Sequence, residues 1–140
     1  MPTIFSRIIS REIPGTFVWR DDLCVAFMSI NPLNTGHALV VPRVETDHWL
    51  DLDTAVAQHL MVVSQFVGRA QQAAFDPTRI AMMIVGLEVP HVHLHVVPIH
   101  EMGDVNFAHA ARSVDPADLE RAADAIRTQL RAQGHPEASA

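Results

Sequence analysis

His91-Val92-His93-Leu94-His95-Val96-Val97-Pro98 is the stretch that decides how this chain is read. Histidine alternates with an apolar residue at a strict two-residue spacing. Successive side chains of a β-strand point to opposite faces, so the pattern predicts a strand with His91, His93 and His95 on one face. Val92, Leu94 and Val96 then line the other face and need an apolar surface to pack on. Alternate strand residues lie about 6.6–7 Å apart, which gives a row of imidazoles about 13–14 Å long. Such a row can follow a phosphate and its substituents. It is too long for all three rings to bind one tetrahedral metal, whose ligands sit about 2 Å away. Each ring also brings nitrogens that are costly to bury without partners. A solvated strand face, or a metal site completed by distant ligands, are the other roles such a row can take.

Upstream, the turn at Gly86 joins the histidine strand to a run predicted as a buried strand, Arg79 to Val85. Before it, Leu52, Val56, Leu60, Val63, Val67, Ala70 and Ala74 recur at three- and four-residue steps. That period predicts the longest helix, from Asp51 or Asp53 (a good N-cap) to Ala74, stopped by Asp76-Pro77. His37-Ala38-Leu39-Val40-Val41-Pro42 reads as a strand ended by its proline, since proline cannot donate to the ladder. Phe17 to Arg20 and Leu23 to Met28 read as a hairpin around Asp21-Asp22. Residues 3–10 suit a short helix or an irregular segment. Downstream, Asp115 and Pro116 open a second helix over about 116–133, closed by Gly134-His135-Pro136. The last few residues are expected to fray. The sum is an α+β domain: about five short antiparallel strands and two helices, in one domain spanning 1–140.

Composition narrows the function classes. The chain has 140 residues, 49% hydrophobic and 19% charged, which indicates a folded domain of single-core size. A net charge of −6 gives no support for binding a nucleic-acid polymer. The basic residues are all arginine, which excludes lysine chemistry. Cys24 is the only cysteine, so no internal disulfide forms, and its apolar neighbours suggest a core position. No apolar run reaches the roughly 18 residues of a membrane span, and no signal peptide is visible. A cytoplasmic protein without membrane contact is the default expectation.

The histidine run resembles the His-φ-His-φ-His-φ-φ signature of the histidine-triad family of nucleotide hydrolases and transferases. Ile4-Phe5, Glu12-Ile13-Pro14, Val25-Ala26-Phe27 and Gly36-His37-Ala38-Leu39-Val40-Val41-Pro42-Arg43 extend the likeness over most of residues 3–98. The resemblance implies a half-barrel sheet, a homodimer and a nucleotide or nucleotide-conjugate substrate. It places the nucleophile at His93, with His91 and His95 orienting it, and His95 also holding the phosphate. It places a fourth active-site histidine at His37, and nucleotide contacts at Ser29, Ile30, Asn31, Gly86 and Glu88. Neutral imidazole is a competent nucleophile near pH 7, and a phosphoramidate intermediate splits one hard displacement into two easier ones. No cofactor is expected. Some relatives hold a structural zinc through an N-terminal cysteine pair and later histidines. Ser6 stands in that region here, so no metal is expected.

This chain departs from the family pattern at three places. Ser29 stands where relatives often carry Asp or Asn toward the ribose. The side-chain amide ahead of the phosphate loop is replaced by Ile80 or Ile84, depending on alignment. The loop itself is shortened to Gly86-Leu87-Glu88-Val89-Pro90, where Glu88 would disfavour an anionic leaving group and tolerate a cationic amine. The expected activity is hydrolysis or transfer of a nucleoside monophosphate from a phosphoramidate-type conjugate through a nucleotidyl-histidine. Dinucleoside polyphosphate hydrolysis, or a nucleotide-binding dimer with little turnover, are the alternatives.

Overall fold

The computed structural model describes residues 1–140. One antiparallel sheet of five strands has the order β1-β2-β3-β5-β4. Its strands are β1 Phe17–Arg20, β2 Cys24–Met28, β3 Ala38–Pro42, β4 Arg79–Met83 and β5 Leu94–Ile99. The helices are α1 Ile4–Ile9, α2 Thr54–Phe75 and α3 Pro116–Ala132. The α+β reading holds, with α1 as a third helix beside the two expected. At six residues, α1 is too short for a hydrophobic period to be visible. It is held instead by its cap, where the Thr3 hydroxyl accepts from the Ser6 N–H at 3.1 Å.

Period-two alternation splits the sheet between two cores. Cys24, Ala26, Met28, Ala38, Val40, Leu94 and Val96 face the helix layer, where they pack with Leu60, Val63, Val67, Ala123, Ile126 and Leu130. Val25, Phe27, Leu39 and Val41 face the other way, with Phe5 of α1 and Phe17. The Asp53 and Asp115 side chains cap α2 and α3 as expected. Each fully buried Leu or Val on the helix stripe contributes about 1.5–3 kcal/mol. Gln71 lies among them, wholly buried, and its Nε2 donates to the carbonyls of Gly36 at 2.9 Å and Val96 at 2.8 Å. Gly36 allows the turn into β3, because φ is +92° and a Cβ there would overlap the Phe75 ring.

Three expectations need correction. The histidine strand begins at Leu94, not His91. Its ladder with β3 covers only Ala38–Val40 against Leu94–Val96. Beyond that, Pro42 has no N–H to pair, its carbonyl is taken by the His91 ring, and Val92 donates to Thr46 instead. Second, β4 is not buried: it is the outer strand, and Met82 is 41% exposed. Third, the C-terminus does not fray. Gly134, at φ +89°, turns the chain back, and Trp19 bridges to Ala138. Arg20 donates to Glu137 O and Ser139 to Val18 O, so the tail covers the β1 edge.

Candidate functional site

Although His91 and His93 precede the ladder, the extended chain keeps its alternation. Val92, Leu94 and Val96 are 2–4% exposed in the helix-side core. The histidines project to the opposite side, with His93 and His95 ring centroids 4.9 Å apart. His37 precedes Ala38 with the same parity as Leu39 and Val41, so it reaches the same face. Its Nε2 lies 3.0 Å from His95 Nδ1.

Hydrogen bonding sets the tautomer of every ring. The Leu33 N–H donates to His37 Nδ1 at 3.0 Å, so the His37 proton sits on Nε2 and is donated to His95 Nδ1. His95 therefore carries its own proton on Nε2. The His91 Nε2–H donates to the Pro42 carbonyl at 2.8 Å, leaving Nδ1 to accept from the Thr3 hydroxyl at 2.7 Å. The His93 Nδ1–H donates to the His91 carbonyl at 2.8 Å. Of the four rings, only His93 keeps a bare nitrogen, Nε2, and only His95 keeps a free N–H. A lone pair and a donor thus stand side by side. Behind them, the Glu45 carboxylate accepts from the Thr3 N–H at 2.6 Å and the Ser6 hydroxyl at 2.8 Å, fixing the α1 cap beneath His91.

Burial holds these rings neutral. It pushes His37 down to about 3, aided by repulsion from His95 and His93, and His95 down to about 4, aided by His93. His91 and His93 are also lowered, burial being the main cause. The Pro42 and His91 carbonyls, and the Glu45 and Glu88 charges, oppose it in part.

The row opens into a cleft of about 590 Å³. His37, His93, His95, Ser29, Ile30, Asn31 and Glu88 all line it, so most of the expected site is brought together. Gly86 is not among the lining residues; at φ +77° it serves the turn out of β4. Ile80 and Ile84 pack on the helix-side core, away from the cleft. Ser29 Oγ accepts from the Asn31 N–H at 3.2 Å. Asn31 spends both amide protons on the carbonyls of Ala111 and Arg112, at 3.1 and 2.9 Å, and so straps the segment after β5 across the cleft mouth. That segment brings Phe107 edge-on to His95, centroids 4.9 Å apart, and adds Arg112 to the lining. On the other side Phe5 stands edge-on to His93 at 4.8 Å and to His91 at 5.8 Å. Sequence reading does not reach Thr3, Phe107 or Arg112 as site residues, and it reaches Phe5 only through the family likeness. A threonine three residues ahead of a serine was a visible cap signal for α1, but nothing in the sequence ties residue 107 to His95.

The HIT domain profile matches residues 10–102. The chain belongs to the HIT family. It is 34% identical over 107 residues to the purine nucleoside phosphoramidase of Escherichia coli, covering 72% of this chain and 90% of that protein. It is 34% identical over 102 residues to an uncharacterised HIT-like protein of Borreliella burgdorferi, covering 68% and 73%. Among solved structures, a HIT-like protein of Bartonella henselae superimposes with a TM-score of 0.80 at 30% identity, covering 91% of this chain and 95% of that one. A zinc-bound histidine triad protein of Mycobacterium smegmatis gives 0.79 at 26% identity, covering 93% and 94%. Cys24 is the only thiol, so this chain has no cysteine pair to offer zinc. Thr3 and Ser6 offer hydroxyls, already engaged with His91 and Glu45, and zinc prefers thiolate and imidazole. No helix is long and apolar enough to cross a membrane.

Proposed function

We propose that this HIT protein hydrolyses or transfers nucleoside monophosphates from phosphoramidate-type conjugates, with His93 as nucleophile. The observation that carries the reading is the bare Nε2 of His93, held in the cleft by the bond from Nδ1 to the His91 carbonyl. Attack of that lone pair on phosphorus forms a new P–N bond and breaks the one to the amine, which leaves with a proton taken up from solvent. Water then displaces the imidazole, returns a proton to solvent and releases the monophosphate. The free Nε2–H of His95 is placed to donate to a phosphoryl oxygen, and His37 fixes that tautomer. Phe5, Ile8, Phe27 and Leu39 supply an apolar slot for the base, and Ser29 keeps an O–H for the ribose. Glu88 at the mouth favours a cationic amine leaving group over an anionic one. The likeness to the Escherichia coli phosphoramidase supports this choice over dinucleoside polyphosphates.

A homodimer is part of the reading. The outer edge of β4 is unpaired, and Met82, Val85 and the nearby Met61 of α2 are 41–50% exposed. Light scattering on the purified protein tests it. The activity is tested by release of monophosphate from adenosine and guanosine phosphoramidates, with diadenosine polyphosphates alongside. Turnover of the phosphoramidates, lost in His93→Ala, is the expected result. Tight nucleotide binding without turnover on any of them would favour a binding module.

A further inference from the structure

The β1–β2 turn gathers a second set of ligand-capable side chains on the helix-covered face, across the sheet from the histidine row. Asp21 Oδ1 accepts from the backbone N–H groups of Leu23 and Cys24, both at 2.8 Å, which locks the carboxylate. Oδ2 is thereby aimed at three donors: Trp19 Nε1 at 2.7 Å, His59 Nε2 at 2.7 Å and Cys24 Sγ at 3.6 Å. One carboxylate oxygen has about two lone pairs, so one donor is in excess. A cation among the three side chains removes the excess, because sulfur and imidazole then turn from donors into ligands.

We propose that Asp21, Cys24 and His59 form a site for a zinc-class divalent cation, with water in the fourth position, that clips α2 to the β1–β2 turn. The three ligand atoms already lie within 4.8 Å of one another. A tetrahedral zinc bound by S, N and O sets ligand atoms about 3.3–3.5 Å apart. Cys24 Sγ and Asp21 Oδ2, at 3.6 Å, stand within about 0.1 Å of that spacing, and His59 Nε2 must move about 0.6 Å from Oδ2 to reach it. It can, since its side chain is 31% exposed, and that exposure also admits the water that completes the shell. A thiolate, an imidazole and one carboxylate select zinc over magnesium or calcium, which prefer oxygen ligands. The outer shell is already built: two amides hold Oδ1 and the Trp19 N–H holds Oδ2, as ligating carboxylates require. The carboxylate and thiolate neutralise the ion. Burial and the Asp21 charge keep the metal-free Cys24 thiol protonated, so the ion must displace that proton, and Arg43, whose Nε donates to the Asp21 carbonyl at 2.7 Å, repels the cation. On binding, Cys24 releases its proton to solvent and His59 carries its proton on Nδ1. Nothing is oxidised or reduced.

Cobalt(II) titrated into the reduced, full-length protein tests the site, because Cys24 is the only sulfur that can become a thiolate. One equivalent is expected to raise a near-ultraviolet thiolate-to-cobalt charge-transfer band, and zinc to abolish it by competition. Cobalt on the histidine row gives no such band. His59→Ala, a partly exposed change, is expected to weaken apparent affinity by at least about tenfold. Cys24→Ser, where folded by circular dichroism, is expected to lose the band. A wild-type protein with no band at saturating cobalt overturns the proposal. So does a band whose affinity is unchanged in both His59→Ala and Asp21→Asn. None of these outcomes depends on the nucleotide activity.

Discussion

His93 Nδ1 lies 2.8 Å from the main-chain carbonyl of His91, and a carbonyl can only accept, so the proton of His93 is fixed on Nδ1. The reactive nitrogen is therefore set by backbone and survives loss of the His91 ring. His91→Ala should keep the covalent chemistry while lowering kcat about 10²-fold, through poorer positioning. It should also lose thermal stability, because the Pro42 carbonyl is left without its partner. Steady-state kinetics and a melting curve on one preparation check both.

Thr3 is the outer end of the chain that reaches His91. Thr3→Val keeps the shape and removes the hydroxyl that donates a hydrogen bond to His91 Nδ1. Losing one such bond costs about 1 kcal/mol, or about fivefold in rate. We expect that loss in kcat, with KM little changed and Thr3→Ser near wild type. An equal loss in Thr3→Ser would assign Thr3 to packing alone.

The depressed histidines make stability pH-dependent with a definite sign. The unfolded imidazoles take up protons near pH 6.5, whereas folded His95 and His37 resist until about 4 and about 3. Between those limits the unfolded state binds more protons, so stability falls as pH falls. Their contribution is intact above pH 6.5 and fully lost only below about 3. Denaturant midpoints should fall steadily from pH 7 to pH 4. In His37→Gln the fall should be shallower.

Gln71 links the helix layer to the site. Its Nε2 satisfies the carbonyls of Gly36 and Val96, which flank His37 and His95 in sequence. Gln71→Leu removes both bonds from buried carbonyls, a loss of about 1–3 kcal/mol. Urea unfolding measures it, and a drop in kcat should accompany it.

Much of this was legible beforehand because it rests on period. The alternation at His91 to Val96 placed three rings on one side and three aliphatics on the other, even though the ladder starts only at Leu94. The apolar steps from Leu52 to Ala74 gave α2 to within a residue or two of its ends. What period cannot show are contacts between segments far apart in sequence. Thr3 on His91, Phe107 on His95 and Asn31 on the Ala111–Arg112 backbone are such contacts. The tail departs from its composition for the same reason: small, polar residues suggest fraying, yet they complete the edge of β1. The family resemblance points Gly86 toward the cleft, and the fold leaves it outside the lining residues.

The central claim is that His93 Nε2 attacks phosphorus. Wild-type protein mixed with adenosine 5′-phosphoramidate, quenched within milliseconds under conditions that preserve P–N bonds and digested, should yield a peptide carrying one adenylyl group. Fragmentation should place that group on His93. His93→Ala, shown folded by circular dichroism, should give no adduct and no turnover. An adduct on His91 or His95 in the wild type, or undiminished turnover in folded His93→Ala, would contradict the assignment.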